Sequence, residues 1–153
     1  MSIEELASRY ESATQAFLTL IRSLSDADLD HKDSEGWSSR QVIHHVADSE
    51  AQSYARLRRL IAEPGTAIQG YDEAKWAENP TLGYEDTDVA ASIEVFSAVR
   101  KSSFNLLKRL SEAQLDNKGV HSESGEYSVR TWINTYSNHP LDHADQIRKQ
   151  LGK

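Results

Sequence analysis

The sequence predicts an all-α protein, a four-helix bundle, and three observations lead to this prediction. Four long segments repeat apolar residues at intervals of three and four, which is typical of a helix with one buried face. Capping residues stand before two of these segments, and no segment alternates apolar and polar residues as a half-buried strand does. The 153 residues are enough for one core, so we expect a single domain over residues 1–153.

The first two predicted helices have clear start signals. Ser2 and Glu5 fit a capping box before the first helix, which should end near Leu24. Ser38 and Gln41 fit another before the second helix. The apolar stripe of the second helix includes Tyr54, and Pro64-Gly65 ends that helix.

A long connection, about residues 63–86, separates the second helix from the third. It would let these two helices run parallel, as in bundles with a crossover, and loops of this length are often functional. The third helix should cover about residues 88–110, with Val99 inward, and the fourth about residues 129–151.

An internal similarity links the two halves of the chain. Residues 24–32 (LSDADLDHK) match residues 110–118 (LSEAQLDNK) at six of nine positions. One interpretation is a bundle built from two similar hairpins. The alternative is that Leu-Ser-x-Ala-x-Leu is a common way to end a helix.

Composition excludes several classes of function. The net charge is -7 and no long basic run occurs, so we expect no nucleic-acid partner. No apolar run approaches the ~20 residues that cross a bilayer, and the N-terminus lacks a signal-peptide pattern, so a cytoplasmic protein without membrane contact is expected. The chain has no cysteine, which excludes disulfides, thiolate metal sites and a cysteine nucleophile.

Three histidines are candidate metal ligands. His139 and His143 lie four residues apart on the fourth helix, so they project about 40° apart on the same face, one turn from each other. His45 lies at the edge of the apolar face of the second helix and reaches the same point if the two helices pack together. Three neutral imidazoles would leave positions open for water or substrate, as in a catalytic site. The alternative is a coincidental or buried polar pair on one helix.

Pro140 stands between two of these histidines. Inside a helix it removes one backbone hydrogen bond and clashes with the preceding turn, at a cost of ~3 kcal/mol. A kink here would free the carbonyl of Tyr136 and reorient His139. The alternative is that a helix begins at Pro140 and residues 129–138 form a separate element.

Two charged residues, Glu50 and Arg100, fall on otherwise apolar stripes. Since a lone buried charge is costly, both should pair or face a cavity. One interpretation is a structural ion pair. The other is catalytic: Glu50 as general base or as a hydrogen-bond acceptor for a metal ligand, and Arg100 as the group that binds a substrate carboxylate.

The remaining polar candidates are not assigned to the site. Asp48 should point away from the apolar stripe, so it is not a predicted ligand. His44 should lie near the surface, and His31 and His121 in solvated turn segments.

Three motifs carry a resemblance to a known family. They are WSSRQVIHHVADSE (residues 37–50), YDEAKWA (residues 71–77) and HPLDHADQI (residues 139–147). In this order, over nearly the whole chain, they resemble the DinB/YfiT-like superfamily. The resemblance implies a bundle in up-down-down-up order with a long crossover between helices 2 and 3. It also implies a divalent metal ion, nickel or zinc first and Fe²⁺ next, held by His45, His139 and His143, and a homodimer.

The resemblance leaves three functional hypotheses. The first is a metal-dependent transferase that joins a low-molecular-weight thiol to an electrophilic small molecule, since the metal lowers the pKa of a bound thiol. The second is a metal-dependent hydrolase that uses activated water, for which Glu50 is the candidate base. The third is a non-enzymatic bundle that binds a metal or a ligand. We expect no other cofactor.

Overall fold

Four long helices form the body of the structure. In the computed structural model, which describes residues 1–34 and 36–153, they are α1 (Ile3–Arg22), α3 (Ser39–Ala62), α5 (Ala90–Leu107) and α6 (Val129–Leu151). The shorter elements are α2 (Asp26–Asp30), α4 (Glu73–Glu78), a 3-10 helix (Glu112–Asp116) and the strands β1 (Ala67–Ile68), β2 (Lys118–His121) and β3 (Gly125–Ser128). The predicted capping boxes at Ser2 and Ser38 are both present.

The side-chain contacts show how the long helices run relative to one another. Between α3 and α5, the pairs His44–Ser92, Glu50–Arg100 and Arg58–Ser102 advance along both helices together, so these helices are parallel. Between α3 and α6, Ser39 contacts Gln150 whereas Ser53 contacts Trp132, so these two are antiparallel.

Helix α1 completes the bundle. It is antiparallel to α5, because Thr14 contacts Arg100 and the later Phe17 contacts the earlier Phe96. The predicted up-down-down-up bundle with a crossover is therefore confirmed.

The buried side chains form two apolar clusters with polar residues between them. One cluster contains Tyr10 and Trp132, and the other contains Phe17 and Phe96. A set of fully or nearly buried polar residues lies between the two clusters along the four helices; we call it the polar layer. Its members are Thr14, Ser49, Glu50, Ser53, Arg100, Ser103 and Ser137. Such a layer is tolerated only where its groups are hydrogen-bonded.

A small sheet was not predicted from the sequence. Its order is β1-β2-β3, with β1 parallel to β2 and β2 antiparallel to β3. The strands have only two and four residues, too few for an alternating pattern to stand out. Gly119 allows the close approach of β1 to β2, because an added Cβ would lie 2.3 Å from the carbonyl oxygen of Thr66.

The crossover is more structured than a loop. It contains β1 and α4, and the hydroxyl of Tyr84, near its end, donates a hydrogen bond to Asp48 of α3.

Two side chains that were predicted to face the core do not do so fully. Tyr54 is 39% exposed, with the guanidinium of Arg58 over its ring, and Val99 is only half-buried. Aromatic rings on a helix surface can be covered by a cation instead of a core.

The similar segments of the two halves adopt similar local structures. Residues 26–30 form α2 and residues 112–116 form the 3-10 helix, each begun by a serine capping box at Ser25 or Ser111.

Within the described residues, no helix combines the length and apolar character that a membrane span requires.

Candidate metal centre

Three histidines from two antiparallel helices meet at the edge of the polar layer. His45 of α3 and His139 and His143 of α6 each offer a ring nitrogen, and these nitrogens lie within 4.8 Å of one another. The Nε2 atoms of His139 and His143 are 3.1 Å apart. The structure therefore brings together all three predicted ligands, in an arrangement that one cation could satisfy.

The Nδ1 atoms of the three rings have different surroundings. Nδ1 of His143 lies 2.7 Å from Oε1 of Gln146, so Nδ1 carries the proton and Nε2 is left free to bind a metal. Nδ1 of His45 and Nδ1 of His139 are buried without a hydrogen-bond partner among the described residues. These two nitrogens therefore lack the hydrogen bond that orients the ring of His143.

Burial keeps these imidazoles neutral. Loss of solvation lowers the pKa of His45 to about 4, and the positive charge of protonated His143 adds to that effect. Loss of solvation also lowers the pKa of His139 to about 3, with further lowering from the neighbouring histidines and Arg100. The pKa of His143 is lowered by burial too, although the hydrogen bond to Gln146 opposes the shift. Neutral imidazole is the form that binds metal ions.

Pro140 lies inside α6, which is continuous from Val129 to Leu151, so the alternative of a helix that begins at Pro140 is wrong. The carbonyl that the proline leaves without a helix partner is that of Tyr136. It accepts a hydrogen bond of 2.6 Å from Nη1 of Arg100. A charged donor from α5 thus replaces the missing backbone bond one turn before His139.

Arg100 and Glu50 form a fully buried ion pair, with 2.9 Å between Nη1 and Oε1. The guanidinium also donates to Thr14 Oγ1 at 2.7 Å and to the Tyr10 carbonyl at 2.7 Å. The other carboxylate oxygen of Glu50 accepts from the Ser53 hydroxyl at 3.0 Å. Burial raises the pKa of Glu50, and the charge of Arg100 opposes that rise. This geometry favours the structural ion pair over a catalytic assignment.

The other histidines and Asp48 lie outside the cluster. His44 is buried, not near the surface as predicted: its ring contacts Ser92 Oγ at 2.7 Å and the Thr87 carbonyl at 3.0 Å, which ties α3 to the start of α5. No local sequence pattern indicates these partners, because they depend on the packing of α5. His31 is exposed, whereas His121 is half-buried in β2 with its ring near Tyr127.

Three neighbours of the histidines were not assigned a role from the sequence. Trp37, just before α3, places its ring 5.1 Å from that of His45. Gln146 is the hydrogen-bond partner of His143, and its i+3 spacing was a usable signal. Glu73, on α4, is close enough for its charge to raise the pKa of His143. Through Glu73 the crossover therefore adds negative charge in the neighbourhood of His143.

Comparison of the sequence with models of protein families identifies the family of this chain. A model of the DinB superfamily matches residues 9–147, which include all three histidines. The chain belongs to the DinB superfamily. The resemblance that the sequence motifs indicated is thereby confirmed.

Known relatives of this DinB-superfamily chain share most of its length. Two proteins from Oceanobacillus iheyensis, each named a putative metal-dependent hydrolase, are 32% identical over 150 residues and 33% identical over 146 residues. These alignments cover 97% and 95% of this chain and 85% and 83% of the relatives.

A solved structure has the same fold. YfiT from Bacillus subtilis, described as "a probable metal-dependent hydrolase with an unusual four-helix bundle topology", matches with a TM-score of 0.84 at 24% identity. The match covers 99% of this chain and 90% of that one. At this level of identity the likeness concerns the fold alone.

Proposed function

We propose that this protein is a metal-dependent hydrolase whose metal ligands are His45, His139 and His143. The observation that carries the proposal is the convergence of three neutral imidazoles, each of which offers a ring nitrogen within 4.8 Å of the other two. The relatives named as metal-dependent hydrolases support the same class of activity.

The donor set suits a borderline-soft divalent cation. Imidazole nitrogens bind Zn²⁺, Ni²⁺ and Fe²⁺, so we propose Zn²⁺ or Ni²⁺ first and Fe²⁺ next. A divalent ion held by His45, His139 and His143 would supply Lewis-acid chemistry, because coordination makes water more acidic.

The protein's own residues prepare the ligands. Burial keeps the rings unprotonated at neutral pH, and Gln146 fixes which nitrogen of His143 faces the other rings. Trp37 lies against His45 and limits the access of bulk water on that side. Ligands held in this way lose little orientational freedom when the ion binds.

A hydrolase also needs a group that accepts a proton. Glu50 was the candidate from the sequence, but both of its oxygens are held by buried partners, Arg100 and Ser53. We propose Glu73 for this role, because it is exposed to solvent and its charge reaches His143. Glu73→Gln should lower kcat about 10²–10⁴-fold with unchanged metal content, whereas Glu78→Gln on the same short helix should have no effect.

The comparisons support hydrolysis better than the thiol-transferase hypothesis. The relatives are named for metal-dependent hydrolysis, and the contacts described above include none that would recognise a thiol. The thiol and electrophile substrates, the homodimer and the non-enzymatic alternative therefore stay predictions.

Metal analysis of the purified protein tests the site directly. The wild type should contain about one equivalent of divalent metal, His143→Ala should contain little, and His31→Ala, which removes an exposed histidine, should match the wild type. A metal-free preparation that takes up none of Zn²⁺, Ni²⁺ and Fe²⁺ would refute the site.

Turnover assays then separate the chemistries. Carboxylic esters, amides and phosphoesters test hydrolysis, and a low-molecular-weight thiol with monobromobimane tests transfer. Turnover of a hydrolytic substrate that disappears in His143→Ala supports the proposal. Thiol transfer with no hydrolysis of any substrate class would replace it with the first hypothesis.

A further inference from the structure

A pocket that none of the three histidines lines lies between the C-terminal half of α3 and β1. Its volume is about 270 Å³, and the residues that line it include Arg56 and Arg59 together with Gln52 and Gln69. These side chains offer hydrogen-bond donors and positive charge, which together are the chemistry of an anion site.

The guanidinium of Arg56 is held in place by neutral acceptors. Its Nη2 donates to the carbonyl of Gln69 at 2.6 Å, and its Nη1 donates to the hydroxyl of Tyr136 at 3.2 Å. Arg56 is half-buried, and a guanidinium has five N–H donors, so these bonds leave others free. A donor group that is already fixed loses little freedom when it binds a ligand.

The two arginines share a second property: within residues 1–34 and 36–153, neither forms an ion pair with a carboxylate. Arg56 is half-buried, and a cation that is partly removed from water is stabilised by a counter-charge, whereas Arg59 is exposed. A bound anion would supply the missing counter-charge.

We propose that this pocket binds a phosphate group, with Arg56 as the principal donor and Arg59 as the second charge. The planar guanidinium matches two oxygens of such a group better than an ammonium does. Tyr136, which contacts Arg56, has its ring 6.2 Å from that of His139, so the pocket lies near the candidate metal centre. The proposal does not depend on the proposed hydrolase activity, since none of the three histidines lines the pocket.

Isothermal titration calorimetry of the metal-free protein with inorganic phosphate and with phenyl phosphate, at low ionic strength, tests the pocket. Both should bind the wild type. Arg56→Gln should raise Kd about tenfold or more, because it removes a charged donor, and Arg59→Gln should raise it by a smaller factor. Arg58→Gln is the matched control: its guanidinium lies over Tyr54 and donates to Ser102, outside the pocket, so Kd should not change.

The two ligands distinguish the sources of the anion. Tighter binding of phenyl phosphate assigns the group to a larger molecule, and tighter binding of inorganic phosphate assigns it to the free ion. His143→Ala should bind both ligands like the wild type, which separates this pocket from the metal centre.

No heat of binding to the wild type, or equal Kd values in Arg56→Gln, Arg59→Gln and the wild type, would overturn the proposal. If Arg56→Gln does not fold, the exposed Arg59 still decides the question, because its replacement leaves the core intact.

Discussion

Replacing Arg100 by methionine should destabilise the bundle strongly, because Arg100 joins α5 to the other three long helices. Its guanidinium donates to Thr14 and Tyr10 of α1, to Glu50 of α3 and to Tyr136 of α6, at distances of 2.6–2.9 Å. Its side chain is 0% exposed, so water cannot replace these bonds while the fold is intact.

The magnitude follows from what the substitution leaves behind. Methionine fills a similar volume but leaves the carboxylate of Glu50 buried without its cation, a change that typically costs about 3–5 kcal/mol. For a chain of this length, each kcal/mol of stability corresponds to roughly 2–4 °C in Tm. We therefore expect Arg100→Met to lower Tm by about 6–20 °C.

Chemical denaturation of the metal-free proteins, followed by circular dichroism, measures the change in the free energy of unfolding. The double variant Glu50→Gln with Arg100→Met should lose less than Arg100→Met alone, because it contains no unpaired buried charge. The surface pair Lys118–Glu126 is the matched comparison: because both side chains are exposed, removing it should cost far less than removing Arg100.

The pH dependence gives a second test of the same reasoning. Without Arg100, burial raises the pKa of Glu50 in the folded protein further above its value in the unfolded chain. Over a range of pH, Glu50 is therefore protonated in the folded variant and ionised in the unfolded variant. The stability gap between the wild type and Arg100→Met should therefore widen as the pH rises from about 5 to about 8. A loss below about 1 kcal/mol, or a gap that narrows over this range, would refute the structural assignment of the pair.

Three further predictions concern the site and the small sheet. Gln146→Ala should weaken Zn²⁺ binding, measured by competition with a chelator, by about 10–100-fold, because it removes the hydrogen bond that orients one ligand. The metal-free protein should lose stability as the pH falls below 6.5, since unfolded histidines take up protons while His45 and His139 stay neutral in the fold, with pKa values of about 4 and about 3. Urea titrations should show a loss on the order of 1–2 kcal/mol per histidine at about pH 5, absent in the alanine variants. Gly119→Ala should lower the free energy of unfolding by about 1–3 kcal/mol, because its Cβ would meet backbone at 2.3 Å, whereas Gly36→Ala, with nothing within 4 Å, should not.

The long helices could be predicted because their signals are local and repeated. The capping boxes at Ser2 and Ser38 are where the sequence placed them, and the fourth helix was predicted with its observed limits, residues 129–151. The strands were missed because two to four residues carry too little pattern, and they form only after the crossover brings residues 67–68 beside residues 118–121.

The candidate site was predictable only in part, because some of its contacts lie within one helix and others depend on how the helices pack. The i, i+4 spacing of His139 and His143 is a property of one helix, so it could be read directly. The position of His45 depends on how α3 packs against α6, and it became a specific prediction only through the family motifs. The buried contacts of His44 with Ser92 and Thr87 depend on the start of α5, and no local pattern indicates them.

Pro140 and Arg100 together explain why a costly polar layer lies beside the histidines. The proline leaves the Tyr136 carbonyl without a helix partner, and a buried unsatisfied carbonyl costs about 1–3 kcal/mol. Arg100 satisfies that carbonyl, and its own charge then requires Glu50. Each buried polar group thus depends on the next, and the chain of contacts ends one turn before His139. The backbone next to the ligands is therefore held by side chains from other helices, and α6 presents its two histidines to His45 only when all four helices are packed.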